Sequence, residues 1–313
     1  MNLPLPHIDH VTLLTQDAQA IIDLMTQVFG LRLIKTTVNQ AQPTQYQLYF
    51  SDDIGTSGTK VSAIVDPNFA KAQRGGNMLA NFAFQVADLT ALHYWQKRLQ
   101  KFQLTVSPVY YRFNMPTFDA STPDGQQYQF IVSHERRGQS WLDSDVPEAY
   151  AIGGIGLVTI NVLNAPRLAY VLQQDLGMTA VAQDDQVSLF QQAHSQLLVQ
   201  AQPTAILVES GYGMLHHVAF AVPDDASLAA WLTRLDEARL AHSPIVDRYY
   251  FHAVYFKVGP QLLFELATST PGFFKDESYQ QAGKQLVLPP ALAKRSAELV
   301  AKLPPMDTSW HGR

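Results

Sequence analysis

Apolar positions recur along this chain in two alternating periods. Ile8 to Leu14 alternates as a strand does, and Ala18 to Phe29 puts Ile21, Ile22, Met25 and Phe29 at helical spacing. Gly30 then stands where a helix C-cap is wanted. Leu31 to Val38, Gln45 to Phe50 and Lys60 to Val65 read as further strands, with Gly55, Ser57 and Gly58 turning the chain between the last two. The predicted unit is strand, helix, then three strands.

The unit recurs. Met78-Leu-Ala-Asn-Phe-Ala-Phe-Gln-Val86 repeats as Met214-Leu-His-His-Val-Ala-Phe-Ala-Val222, and each run leads into a helix bearing a tryptophan, Trp95 or Trp231. Ser107-Pro108-Val109 with Arg112 repeats as Ser243-Pro244-Ile245 with Arg248. Ile8 to Thr12 answers Ile155 to Thr159, and Phe29-Gly30-Leu31 answers Leu176-Gly177-Met178. The units fall at 7–66, 78–133, 153–201 and 214–268. The period is too long and the copies too few for a solenoid, whereas curved sheets closed in pairs bury their apolar faces. An α+β fold of βαβββ modules forming paired half-barrels is expected. The expected domains are 7–133 and 153–268, joined by a linker at 134–152 that holds Arg136, Arg137 and Gly138, with 269–313 as a tail packing on the modules.

Composition narrows the function. The 313 residues are 47% hydrophobic and 16% charged, as in a globular chain, and a net charge of -5 gives no electrostatic reason to expect nucleic acid or an anionic membrane as partner. No apolar run approaches a membrane span and the N-terminus lacks signal-peptide character, so a cytoplasmic protein is expected. Cysteine is absent, which excludes disulfides, thiolate nucleophiles and Cys-ligated zinc.

The candidate chemistry lies in two strands. Met214 to Val222 carries His216 and His217, and Leu262 to Thr268 carries Glu265 among Leu263, Phe264 and Leu266. A lone buried carboxylate costs several kcal/mol unless a charge, hydrogen bonds or a metal compensates it. His10, in another His-Val-Thr strand, completes a possible set of two imidazoles and one carboxylate. Each has a non-ligand counterpart in the repeat: Leu157 for His10, Asn81 for His217 and, setting Phe264 against Phe130, Ile131 for Glu265. One metal site with its duplicate emptied explains this pattern; satisfied core polar residues do not predict it. Such a set leaves adjacent coordination positions open and is associated with non-haem Fe(II), although Mn(II) and Zn(II) take similar ligands.

These residues carry a resemblance. The chain resembles the vicinal oxygen chelate superfamily and, more narrowly, its hydroquinone-type ring-cleaving dioxygenases. The matching segments run nearly end to end, among them His10-Val-Thr12, Thr37-Val38-Asn39, Leu215-His-His-Val218, Asp247-Arg-Tyr-Tyr-Phe251, Leu263-Phe-Glu-Leu-Ala-Thr268 and Leu288-Pro-Pro290. The resemblance implies a ferrous site of His10, His217 and Glu265 enclosed by the first and fourth modules, with modules two and three forming a barrel without metal. It implies a small aromatic diol or hydroquinone and dioxygen as substrates, with the ring opened beside a hydroxyl-bearing carbon. A homo-oligomer is expected.

The neighbours can serve that chemistry. His216 can orient a ligand or be merely buried. Arg248 can stabilise developing negative charge or form a structural ion pair, and Tyr255 can hydrogen-bond a ligand of the metal or sit in the core. Thr12 shares the face of His10. Relatives commonly carry histidine where this chain has Asp9, which can accept a proton or orient water but cannot donate as an imidazolium does. His252 reads as pocket lining at most; His93, His134, His194, His242 and His311 read as surface residues. Phe273 can help to close the pocket, and Pro290 to Leu303 reads as a short amphipathic helix packing across a module seam. The same fold also hosts metal-dependent lyases, isomerases and thiol-conjugating enzymes, and proteins that only bind aromatic ligands; these are the alternatives.

Overall fold

The computed structural model describes residues 4–133, 135, 138–207 and 209–308. His134, Arg136, Arg137 and His311 lie outside the described residues. Two mixed sheets dominate. One runs in the order Val246–Asp247, Phe251–Gly259, Leu262–Pro271, Leu215–Val222, Ile8–Thr15, Lys60–Val65, Tyr46–Ser51 and Arg32–Val38. The other runs Thr179–Gln183, Val187–Gln192, Ser195–Ala201, Gly154–Val162, Met78–Val86, Gln127–Val132, Met115–Ser121 and Thr105–Val106. The first sheet therefore joins module one to module four, and the second joins two to three. Each sheet draws one module from 7–133 and one from 153–268, so the backbone pairing does not divide along that boundary.

The repeat is visible in the register. At the centre of the first sheet, Ile8 faces Phe220 and His10 faces Ala219, a β-bulge that leaves Asp9 unpaired; Thr12 then faces His217. At the centre of the second, Ile155 faces Phe84 and Leu157 faces Ala83, and Thr159 faces Asn81. The same bulge is present twice. Each module helix begins at an Asp or Asn whose side chain accepts a backbone N–H, namely Asp17, Asp88, Asn164 and Asp224. The helix expected from Ala18 to Phe29 forms as Ala18–Asp23 and then widens into a π turn over Leu24–Val28, as does its counterpart at Val171–Asp175. Gly30 and Gly177 follow these turns at φ +67° and +73°, a conformation that a side chain would strain.

Helix-facing strand residues such as Val11, Leu13, Val218, Phe220 and Leu266 join Trp95 and Trp231 in the buried core. The opposite face of the first sheet is polar. Thr37 and Tyr255, from strands near opposite ends of that sheet, line one cavity, so the sheet is rolled around it. The tail straps the edge strand: Lys35, fully buried, meets Asp276 at 2.7 Å and also Glu277, and Thr36 Oγ1 donates to the Gly283 carbonyl at 2.8 Å. In place of one helix over 290–303, a 3-10 segment, Pro290–Arg295, leads into the α-helix Ser296–Val300, which buries Leu299. Among the described residues no helix is long and apolar enough to cross a membrane.

Candidate metal centre

His10, His217 and Glu265 converge although they come from three strands and both ends of the sequence. One candidate ligand atom of each lies within 4.8 Å of the others. His217 Nε2 is 2.8 Å and His10 Nε2 3.5 Å from Glu265 Oε2. Neighbouring ligands held about 2.1 Å from one ion stand about 3 Å apart, so these separations suit a shared metal. Glu265 is fully buried, and neither of its oxygens accepts a hydrogen bond. The imidazoles come close without aligning an N–H on it, so their contact with the carboxylate is electrostatic. Burial opposes the charge on Glu265, yet the two imidazoles hold its pKa below the usual carboxylate value. A divalent cation would satisfy both orphaned oxygens, and the donor set fits one.

The bulge decides what Asp9 does. An unbulged strand would send Asp9 away from His10; the extra residue brings its carboxylate to His10 instead. His10 Nδ1 donates to Asp9 Oδ2 at 2.8 Å, which turns Nε2 toward Glu265. The other Asp9 oxygen takes Lys60 Nζ at 2.8 Å and Ser57 Oγ at 2.6 Å, and His7 Nε2 lies 2.9 Å from Ser57 Oγ. Burial would raise the Asp9 pKa, but Lys60 and His10 together drive it well below normal. Burial likewise opposes a charge on His10, and the Asp9 bond and Glu265 overcome it, raising the imidazole to about 9. In the sequence Lys60 only opens a strand; the signal of a role at the site is a lysine in the otherwise uncharged buried run Lys60–Val65.

His216 Nδ1 lies 2.7 Å from His217 Nδ1, so one of the two nitrogens carries the shared hydrogen. Burial, with the neighbouring His217, pushes His216 down to about 3, which keeps it neutral as an acceptor. Thr12 Oγ1 sits 2.8 Å from His217 Nε2 and 2.6 Å from Ser62 Oγ. Tyr255 is the cross-strand partner of Glu265, and Arg248 Nε donates to its hydroxyl at 3.1 Å. Burial and the Glu265 charge raise the Tyr255 phenol far above its ordinary value, so it keeps its hydrogen.

Thr12, His216, Arg248 and Tyr255 line a cavity of about 160 Å³ with the triad, and Asp9 lies behind it. Tyr49, Tyr250 and Phe251 add aromatic walls. Phe273 does not line the cavity; it backs the wall, 4.4 Å from Tyr49 between ring centroids. His252 is no pocket residue either. It turns outward to Asp225 at 2.6 Å.

One alignment in the duplicate half needs correction. Ala219 pairs with Glu265 and Ala83 with Gln129, so the counterpart of Glu265 is Gln129 and not Ile131. The same register pairs Tyr255 with Glu265 and Asp119 with Gln129. The error was two residues, which preserves the inward face and leaves the apolar alternation unchanged.

The description glyoxalase/bleomycin resistance protein/dioxygenase superfamily fits residues 7–130. A Bacillus subtilis protein named "Putative ring-cleaving dioxygenase MhqA" is 33% identical, over 96% of this chain and 98% of its own length. The chlorohydroquinone/hydroquinone 1,2-dioxygenase of Sphingobium indicum is 26% identical, over 96% of this chain and 97% of its own. A crystal structure of a "putative dioxygenase" from Bacillus subtilis superposes with a TM-score of 0.92 at 26% identity, covering 98% of this chain and 99% of the other.

Proposed function

The chain belongs to the glyoxalase/bleomycin resistance protein/dioxygenase superfamily, and from that premise we propose that it is a ring-cleaving dioxygenase acting on a hydroquinone or catechol-like aromatic. In this reading His10, His217 and Glu265 hold Fe(II), with Mn(II) or Zn(II) as lesser fits to the same donors. The observation that carries it is the Glu265 carboxylate, fully buried, without a hydrogen-bond donor, and facing two imidazoles. Among the described residues the group has three members, so no fourth imidazole or carboxylate closes the coordination shell, as a lyase or isomerase site would favour.

A ferrous ion in the triad would supply Lewis acidity toward a ring hydroxyl and one-electron reducing power toward dioxygen. The protein's own groups do the rest. Asp9 fixes the His10 ring from its outer nitrogen, and Lys60 fixes Asp9. Phe251, Tyr49 and Tyr250 wall the ring in and reduce the space left for water. Tyr255 keeps its hydrogen at Oη for a substrate oxygen, while Arg248 holds that hydroxyl in place and offers positive charge to an oxyanion. His216 and Thr12 border His217, where the Thr12 hydroxyl can hydrogen-bond an incoming hydroxyl and His216 holds the His217 ring.

Anaerobic loading with Fe(II), followed by oxygen uptake with hydroquinone and catechol, tests this reading. The expected product is ring-opened and carries both atoms of labelled dioxygen. Metal-dependent turnover of a thiol adduct without oxygen uptake would replace it with the lyase reading.

A further inference from the structure

The duplicate half has lost the ligands but not the cavity. Asn81, Gln129 and Thr159 occupy the places of His217, Glu265 and Thr12, and Asp119 takes that of Tyr255. Around them lies an open cavity of about 350 Å³. A vestigial site would be expected to fill with apolar side chains, as Leu157 has done at the His10 position. Elsewhere the polar groups have been rebuilt into a network. Gln129 Nε2 donates to Asp119 Oδ1 at 2.7 Å, and the Tyr110 hydroxyl donates to the same carboxylate at 3.1 Å.

Three residues of this lining carry an unmatched buried polar atom: Tyr128 at its hydroxyl, and two others. Asn81, only 9% exposed, has a buried Oδ1 with no hydrogen-bond donor, and Arg112 has a buried Nε with no acceptor. In the metal half the corresponding arginine atom, Arg248 Nε, is satisfied by Tyr255. Leaving a buried donor and a buried acceptor open in one pocket is costly unless something enters and meets both. The cavity also offers apolar surface from Val106, Leu198 and the Tyr128 ring. The Arg112 and Asp119 charges in the same lining offset each other, so no net charge recruits an ion.

We propose that the metal-free half is a second ligand pocket, which takes a small uncharged phenol between Asn81 and Arg112. The ring would lie on the apolar surface, and its hydroxyl would give a hydrogen to Asn81 Oδ1 and accept one from Arg112 Nε. No bond is made or broken. The inference stands on this pocket alone and does not depend on the dioxygenase reading of the other half.

The test uses the full chain, 4-fluorophenol and fluorine NMR. The parent should show a saturable bound resonance that Asn81→Leu and Arg112→Met each weaken by about tenfold, the worth of one well-placed hydrogen bond. Arg112 is half-exposed, so its replacement keeps the test open should Asn81→Leu fail to fold. Loading the triad with metal, or Tyr255→Phe, should leave that resonance in place. Bound signal responding only to the metal or to Tyr255→Phe would assign all binding to the first pocket and overturn the proposal. Absence of saturable binding below about 10 mM would overturn it too, leaving water as the occupant. Tighter binding of 4-fluorobenzoate at the same place would overturn the choice of an uncharged ligand.

Discussion

The two sheets of this molecule are the same structure with different electrostatics. Both place a bulge just before His10 or its counterpart Leu157, and both set a threonine opposite a polar residue on the next strand. In one, the three key positions are His10, His217 and Glu265; in the other they are Leu157, Asn81 and Gln129. The difference extends outward. The bulged residue is Asp9 in the first sheet and Gly156 in the second, where an added Cβ would run into the buried Gln85 side chain at 2.5 Å. Nothing resembling the Lys60–Asp9–His10 chain can therefore form there. The backbone supplies the geometry twice, and among the described residues only the first copy sets two imidazoles and a carboxylate on it.

The largest expected effect comes from making the first sheet resemble the second. Glu265→Gln removes the negative ligand and installs the amide found at Gln129. Metal content after ferrous reconstitution should fall below about a tenth of the parent, because an amide neither offsets the cation nor binds it as a carboxylate does. Retention of most of the metal would mean that the triad is misassigned.

Next in size is the outer arm. Asp9→Asn keeps the shape and removes the charge that holds His10 and Lys60. Metal dissociation constants should rise by about 10–100-fold, the usual cost of losing such a carboxylate–histidine contact. A change within about twofold would reduce Asp9 to a partner for Lys60.

Proton competition gives a smaller, graded effect. In the folded metal-free chain His10 is raised from 6.5 to about 9, so its charge stabilises that state fully below pH 6.5 and is lost as pH rises through 9. A metal requires the neutral Nε2. Apparent metal affinity should therefore climb by up to about tenfold per pH unit between 6.5 and 9 and level off above, as titration calorimetry across that window can show. A flat profile would mean that His10 is not a ligand.

The smallest effect on metal is expected in the duplicate. Leu157→Ala should leave metal content unchanged while costing about 2–4 kcal/mol of stability through the cavity it opens, measurable by denaturant unfolding. Asn81→Ala should likewise leave the metal in place. Metal lost in step with either change would reverse the assignment of the two halves.

Much of this contrast was legible in the sequence, for a physical reason. A carboxylate among Leu263, Phe264 and Leu266 cannot be buried without compensation, and the repeat then points to which histidines compensate it. The first helix with its stop at Gly30, and the two helices bearing Trp95 and Trp231, were equally visible, because capping chemistry and periodicity are local. What escaped was non-local. Lys60 reaches Asp9 only because its strand lies parallel beside that of His10, and no spacing along the chain encodes such a neighbour. The role of Asp9 depended on a bulge, a pairing between strands some two hundred residues apart in sequence, visible only in the register. The partner of Glu265 was missed because the loops before the two strands differ, and a slip of two leaves the face pattern intact.

The central claim is that one sheet binds a metal and its near-copy does not. Metal analysis of the parent and of Glu265→Gln, both reconstituted anaerobically with excess Fe(II) and desalted, tests it most directly. One equivalent per chain in the parent and essentially none in the variant is the predicted result. Two equivalents in the parent, none in the parent, or one retained in the variant would contradict it.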